Sequence, residues 1–459
     1  MPDFRLLDDA LEEARRLGAS GAEAFYQRGT GLTVKVFDGA VEKFTHSEGE
    51  GLGLRVWKGD SNGRSYTSDL SETAAREAVR AAVEALAVSP EDPHRALPDP
   101  SLFPTGSGSG EYLGTDLELV GPDLSRTSNE EKIEFALSME RLAREFDPRV
   151  RGVEVAAYSD SVDEVLLANT SGFRAGFRST ECYGYLVAIA DGEGDSQTGF
   201  GFTAARSFAD LDAPAAAEEA AAMAVDLLGA RQVPTARVPV IVNNLNTAEL
   251  LAALAGALSG EAVAKSRSFL AGRLGTGIAS ERVNLVDDGL MPGGFGSAPF
   301  DGEGVASRRT PVIEGGVLST YLHNCYTASR LGFSTTANAG RASFRASIGV
   351  QPTNIRLEPG DADREALRSQ MGTGLEVLEL QGAHAGLNPV TGEVSLGARG
   401  LWIENGRVAH PVREVTIAGT IGEILEGIAG IGSDLRFTPL VGSVGTASVL
   451  VEGLTVSGK

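Results

Sequence analysis

Apolar and polar positions along the first ninety residues switch between two periods. From Asp3 to Leu17 the residues Phe4, Leu7, Ala10, Leu11, Ala14 and Leu17 recur every three or four positions, with acids early and Arg15 and Arg16 late. That spacing predicts a helix whose charges suit its dipole, and Gly18 ends it. AEAFYQRG, LTVKVFDG and AVEKFTHSEG then alternate and break at glycines, which predicts short antiparallel strands. GLGLRVWKGDSNGRSYTSD adds a hairpin turning between Lys58 and Gly63, where Gly-Asp and Asn-Gly favour tight turns. Leu70 to Val88 reads as an alanine-rich amphipathic helix stopped by Pro90.

Residues 89–128 change character. SPEDPHRALPDPSLFPTGSGSG has the proline, glycine and serine content of a connector, and fits a linker or an ordered arm equally. The first pattern then returns. Asn129 to Phe146 is a helix capped by Ser128 or Asn129 with Glu130 or Glu131 nearby. GVEVAAYSD, DEVLLANTSG, FRAGFRSTECYGYLVAIADG and SQTGFGFTAARS read as strands, and DAPAAAEEAAAMAVDLLG closes as a helix. Helix, four to five strands and helix thus occur twice, with too little identity between the copies for sequence to establish a duplication. Neither copy shows the strand-helix-strand alternation of a dinucleotide fold.

A boundary falls near Gly229 to Ala236. ARVPVIVNN is a strand, and Thr247 to Lys265 a long helix in which Gly256 either admits a closely packed neighbour or costs about 1 kcal/mol relative to alanine. Beyond it, REALRSQMG and IGEILEGIAGIG read as short helices among glycine-separated strands, with ENG a strong hairpin signal. The fold class is α+β, organised as an N-terminal α+β domain (1–88), a linker or arm (89–128), a second α+β domain (129–232) and a β-rich C-terminal domain with one long helix (233–459).

Composition narrows the function classes. At 459 residues the chain has ample room for several cores. Lys plus Arg total 40 against 62 Asp plus Glu, a net charge of -22 that repels nucleic acid and anionic membrane at long range. Two cysteines, Cys182 and Cys325, cannot build a disulfide framework or a cysteine-based zinc cluster, and Cys182 reads as a core thiol. The acidic start MPDFRLLDDALEEARR lacks the features of a signal peptide, and no apolar run is long enough to cross a membrane. The expectation is a soluble, cytoplasmic protein.

Val286 to Gly349 carries the densest mixture of glycine turns, charges and hydrogen-bonding groups, including the chain's one His-x-Cys pair. None of the histidines, His46, His94, His323, His384 and His410, begins an HExxH ligand pair. His323 and Cys325 would share a face of a strand, and with His384 would make a three-ligand metal site, but ordinary packing is the better account. Asp287, Asp288, Asp301 and Glu303 suggest paired carboxylates, although capping backbone N–H groups or holding Arg308 and Arg309 explains them more simply. No GxSxG is present, and His384 with Asn388 reads as turn or groove chemistry.

Three stretches carry a family resemblance: SGEAVAKSRSFLAGRLG, GGFGSAPFDGEGVASRRTPVIEGGVLSTYLHNCYTASRLG and HAGLNPVTGEVSLGARGLWIENGRVAHPVREVTIAG. Together they resemble the TldD/PmbA family (peptidase U62), formerly described as modulators of DNA gyrase, and within it the PmbA or TldE branch. The resemblance implies TldD-type subunits that are zinc metallopeptidases with an HExxxH helix, and TldE-type subunits that partner them around an enclosed cavity acting on peptides. It places Leu251, Ala252 and Gly256 where the first histidine, the glutamate and the second histidine belong, and none of these can ligate zinc or activate water. The region where TldD-type chains carry a cysteine ligand has no cysteine here. What the resemblance implies is therefore a non-catalytic subunit, with no catalytic, cofactor or metal residue of its own. Zinc is expected in a TldD-like partner, with a heterodimer as the assembly and a homodimer as the variant. Asp301, Glu303, His323, Asn324, His384 and Asn388 are the candidate lining of a peptide groove. Two other readings stand beside it: a metal-dependent peptidase using His323, Cys325 and His384, and a protein-binding regulator of gyrase. No nucleic acid or membrane partner is expected.

Overall fold

The computed structural model describes residues 3–459. The helix α1 spans Arg5–Arg16, followed by strands β1 (Gly21–Phe37), β2 (Ala40–Lys58) and β3 (Ser61–Thr67) and helix α2 (Glu72–Ala85). The second unit repeats that order as α3 (Asn129–Phe146), β4 (Val150–Asn169), β5 (Arg174–Gly192), β6 (Asp195–Ala205) and α4 (Ala213–Asp226). The strands lie in one sheet in the order β3-β2-β1-β4-β5-β6, with β1 and β4 antiparallel at its centre. Each unit is thus helix, three strands, helix, and the two meet about a pseudo-twofold axis between β1 and β4.

The expected breaks at glycine do not occur. Gly29 and Gly31 lie inside β1, and Gly49, Gly51 and Gly53 inside β2, so the first two strands are 17 and 19 residues long. GVEVAAYSD and DEVLLANTSG likewise form one 20-residue strand. Glycine in a strand weakens it through entropy, but also marks a site where another backbone approaches closely. Gly53 is such a site, because a Cβ there would lie 2.3 Å from the carbonyl oxygen of Phe344. A similar close approach explains why the helices are rich in alanine. A Cβ at Gly63 of β3 would meet the Ala82 carbonyl of α2 at 2.0 Å, and one at Gly201 of β6 would meet the Ala216 carbonyl of α4 at 2.0 Å. Both outer helices therefore sit against a glycine of the end strand, α2 through its last turn and α4 through its first.

Helix termini follow the sequence signals. Ser128 accepts from the Glu131 amide, and the Glu131 carboxylate returns to the Ser128 amide at 2.7 Å, a complete capping box. Residues 89–128 form an ordered arm. Its Gly110 and Leu113 amides donate to the carbonyls of Arg174 and Gly176, and Asp123 accepts from Ser207, Phe208 and Ala209.

The C-terminal part opens with β7 (Ala236–Val242), α5 (Asn244–Ala257) and the short α6 (Gly260–Ala264). The expected helix from Thr247 to Lys265 is thus two helices. It starts earlier because the Asn243 side chain caps it, and it breaks because Ser259 caps α6 afresh. IGEILEGIAGIG is a helix only over Ile421–Glu426, and Ile428–Ile431 is a strand. The strands 407–420, 393–404 and 374–381, then β7 and 449–457, pair in that order. A further pairing between 416–418 and 455–457 closes them into a five-stranded barrel. A second sheet, built on 285–288, 309–314, 355–357 and 444–446, lies across α5 from it, and one apolar core joins both to Leu250, Leu251 and Leu254.

Candidate functional site: an arginine-lined cleft

The turn 301–305 is built by Asp301, whose carboxylate accepts the amides of Glu303 at 2.8 Å, Val305 at 3.0 Å and Ala339 at 3.1 Å. Burial, reinforced by the neighbouring Glu303 charge, pushes its carboxyl up to about 7. Glu303 accepts the Cys325 amide at 2.9 Å and lies 3.7 Å from Arg55. Asn324 caps the helix Cys325–Leu331 through the Thr327 amide at 2.9 Å, and reaches the Gly349 carbonyl. His323 is fully buried and stacks on Phe333 with ring centroids 5.0 Å apart. Its Nδ1 is 3.2 Å from the Thr327 hydroxyl, while Nε2 has no partner among the described residues. Burial lowers its pKa to about 4, so the ring is neutral at physiological pH. Gly260 begins α6 because a Cβ there would lie 2.3 Å from His323 Nδ1.

Among the described residues these side chains have other roles. Burial and the nearby Glu303 charge hold the Cys325 thiol protonated, well above its usual range. The side chain of His384 lies outside the described residues. Its segment, Ala383–Gly386, leads into the exposed Asn388, whose side chain accepts the Val390 and Thr391 amides in a turn. Among the described residues no group of three His, Cys, Asp or Glu is placed to share a metal ion.

A zinc ion would need nitrogen, oxygen or sulfur donors along α5. Leu251 is 6% exposed and faces an apolar cavity with Leu250, Leu254, Val283 and Ile313. Ala252 packs against the same core, and a Cβ at Gly256 would touch only Pro389, at 3.8 Å. No close neighbour demands glycine at 256, so its cost is simply tolerated. No nitrogen, oxygen or sulfur donor is offered at the three positions, and they do not fit the metal.

Glu303 and Asn324 do line an open space, a cleft of about 650 Å³ between the first sheet and the C-terminal domain. Sequence reasoning missed its dominant groups. Glu23 of β1, 1% exposed, accepts from Arg55 of β2 at 2.7 Å and from Arg341, which is three hundred and eighteen positions away. Arg341 also donates to the Gly302 carbonyl at 2.8 Å, and Phe344 packs over Gly51 and Gly53. The segment 341–348 is thereby fixed across the sheet. The one sequence signal was the spacing of Arg341 and Arg345 about Phe344, which carries no local periodicity.

Comparison with known proteins bears on this arrangement. Family profiles described as PmbA/TldA metallopeptidase domain 1, central domain and C-terminal domain match residues 22–86, 122–228 and 235–458. The chain belongs to the PmbA/TldD family. It is 30% identical to a metalloprotease PmbA homolog of Haemophilus influenzae, over 98% of this chain and 95% of that protein. It is 29% identical to metalloprotease PmbA of Escherichia coli, over 99% and 97%. A solved structure from Thermotoga maritima, described as a putative modulator of a DNA gyrase, superposes with a TM-score of 0.89 at 28% identity, covering 98% and 99% of the two chains. TldE from Thermococcus kodakarensis shares the fold, with a TM-score of 0.88 at 22% identity over 99% and 100%. The PmbA/TldD fold is therefore α+β and strand-rich, as the hydrophobic pattern predicts.

Proposed function

We propose that this chain is a non-catalytic, TldE-like subunit of a TldD/TldE-type zinc metallopeptidase, enclosing the chamber and binding peptide while a TldD-like partner supplies zinc and catalysis. One observation carries the reading: the positions that the family resemblance assigns to two imidazoles and a carboxylate are occupied in this chain by Leu251, Gly256 and Ala252, two aliphatic groups and a hydrogen. The family assignment supports the peptidase context. The absence of a membrane-length apolar helix among the described residues is compatible with a cytoplasmic complex. In this arrangement the chain's own work is to bind and orient extended polypeptide and to exclude bulk water from the shared cavity.

The test is reconstitution. The purified chain is assayed on unstructured peptides alone and after mixing with a TldD-like subunit. Activity is expected only in the mixture, and it should survive Cys325→Ser and His384→Ala in this chain. A second reading, an independently active peptidase using His323, Cys325 and His384, is favoured by the metalloprotease names of the relatives. Zinc-dependent cleavage by this chain alone, lost on substituting those residues, would establish it instead.

A further inference from the structure

Five arginines, Arg55, Arg64, Arg95, Arg341 and Arg345, line the 650 Å³ cleft against two glutamates, Glu261 and Glu303, in a chain whose net charge is -22. Three of the five are already engaged. Arg55 and Arg341 are held by the buried Glu23, and Arg95 pairs with Asp92 at 3.3 Å. Arg64 and Arg345 have no carboxylate within 4 Å among the described residues. Arg64 donates only to the Ser347 hydroxyl, and Arg345 lies over Phe344 and Tyr66, 5.0 and 5.8 Å from the ring centroids. Strand alternation puts Arg64 and Tyr66 on the face of β3 opposite α2, because Gly63 and Ser65 meet α2 carbonyls. Tyr66 is 55% exposed beside them. Among the described residues β3 is moreover the last strand of its sheet and pairs with β2 alone, so its outer backbone edge has no strand partner beside the same cleft.

We propose that this cleft binds an acidic segment of extended polypeptide, laid along the β3 edge with its carboxylates on Arg64 and Arg345. Strand addition gives main-chain affinity, and the two guanidinium groups give selectivity for carboxylate at that point. A nucleic acid strand would also value arginine beside an aromatic ring. It carries a charge at every nucleotide, however, and would have to run over the acidic surface beyond the cleft, whereas one or two carboxylates need not. The proposal rests on the reading that the protein handles peptides, but it concerns binding by this chain alone.

The experiment measures fluorescence anisotropy of a labelled, unstructured nine-residue peptide with two central glutamates on the isolated full chain. Its lysine counterpart, sodium triphosphate and an oligothymidylate serve as competitors. The acidic peptide is expected to bind with a salt-dependent affinity, and the Arg64→Ala/Arg345→Ala double variant to weaken it about tenfold or more. Arg64→Lys/Arg345→Lys should recover part of the loss, and an unchanged melting transition shows that each variant is folded. Equal binding of the lysine peptide, indifference to the double variant, or stronger competition by triphosphate or oligothymidylate would each overturn the proposal. A failed reconstitution with a TldD-like subunit leaves this measurement unaffected, so the two readings fail separately.

Discussion

Replacing Glu23 by glutamine should destabilise the junction between the first sheet and the C-terminal domain more than any surface change. The wild-type carboxylate is 1% exposed and accepts two bonds from Arg55, at 2.7 and 3.0 Å, besides its contact with Arg341. Glu23, Glu303, Arg55 and Arg341 form a balanced set of two negative and two positive groups. Glutamine keeps the shape but leaves one guanidinium charge uncompensated, and removing one partner of a buried ion pair costs about 3–5 kcal/mol. With an m-value of about 3 kcal/mol/M in urea, that is a drop of about 1 to 1.7 M in the transition midpoint. The transition can be followed at Trp57, on the same strand as Arg55, in a Trp402→Phe background. The effect should also depend on pH. Burial alone would raise the Glu23 carboxyl, but Arg341 and Arg55 outweigh it and hold it below its usual range. A carboxyl depressed in the folded state contributes its full stability above its unfolded value, about 4.3, and loses it as pH falls through the folded value. The gap between wild type and Glu23→Gln should therefore be full at pH 7 and narrow below about pH 4. Glu23→Gln/Arg341→Met restores the charge balance and should recover more than half the loss. A midpoint change equivalent to less than about 1 kcal/mol, or a gap that widens on acidification, would refute this account of the network.

Other expected outcomes test separate parts of the structure. His323 should titrate near pH 4 by imidazole NMR, against about 6.5 unfolded; its contribution to stability is complete above about pH 6.5 and lost as pH falls towards 4. A measured value of 6 or above would mean that the ring is not buried as described. Gly53→Val should displace the Phe344 carbonyl at a cost of about 1–3 kcal/mol, read as faster hydrogen exchange across residues 341–348 while exchange in α3 is unchanged. Ser128→Ala removes one half of the capping box and should cost about 1 kcal/mol in thermal or urea unfolding, with Ser128→Asp losing much less.

Local signals were legible and long-range ones were not. The helices α1, α2, α3 and α4 could be read because their signals are local: terminal charges in α1, a side-chain cap in α2 and α4, and both in α3. Strand lengths could not, because Gly29, Gly51 and Gly53 look like punctuation until Asp163 and Phe344 are seen packed against them. The union of the two units in one sheet depends on pairing β1 with β4, which no local pattern encodes. Of the candidate groove residues, Glu303 and Asn324 reach the cleft, whereas Asp301 is occupied in shaping its own turn and His323 is buried in an aromatic stack. The arginines on the opposite wall were passed over because an isolated arginine in a strand usually faces solvent; their meaning comes from Glu23, Phe344 and the edge of β3.

The central pairing of β1 with β4 also sets a schedule for biosynthesis. β1 ends at Phe37 and its inner partner at Asn169, so roughly 130 residues must be translated before that edge is satisfied, about 7–26 s at 5–20 residues per second. Throughout that interval the nascent chain presents a 17-residue strand with one open side, the kind of edge that recruits another chain. Arg28 and Lys35 interrupt it with positive charge, and the connecting arm of residues 89–128 delays its completion. A sheet whose two halves match when finished is thus completed by its C-terminal half, and the order of synthesis leaves the β1 edge for last.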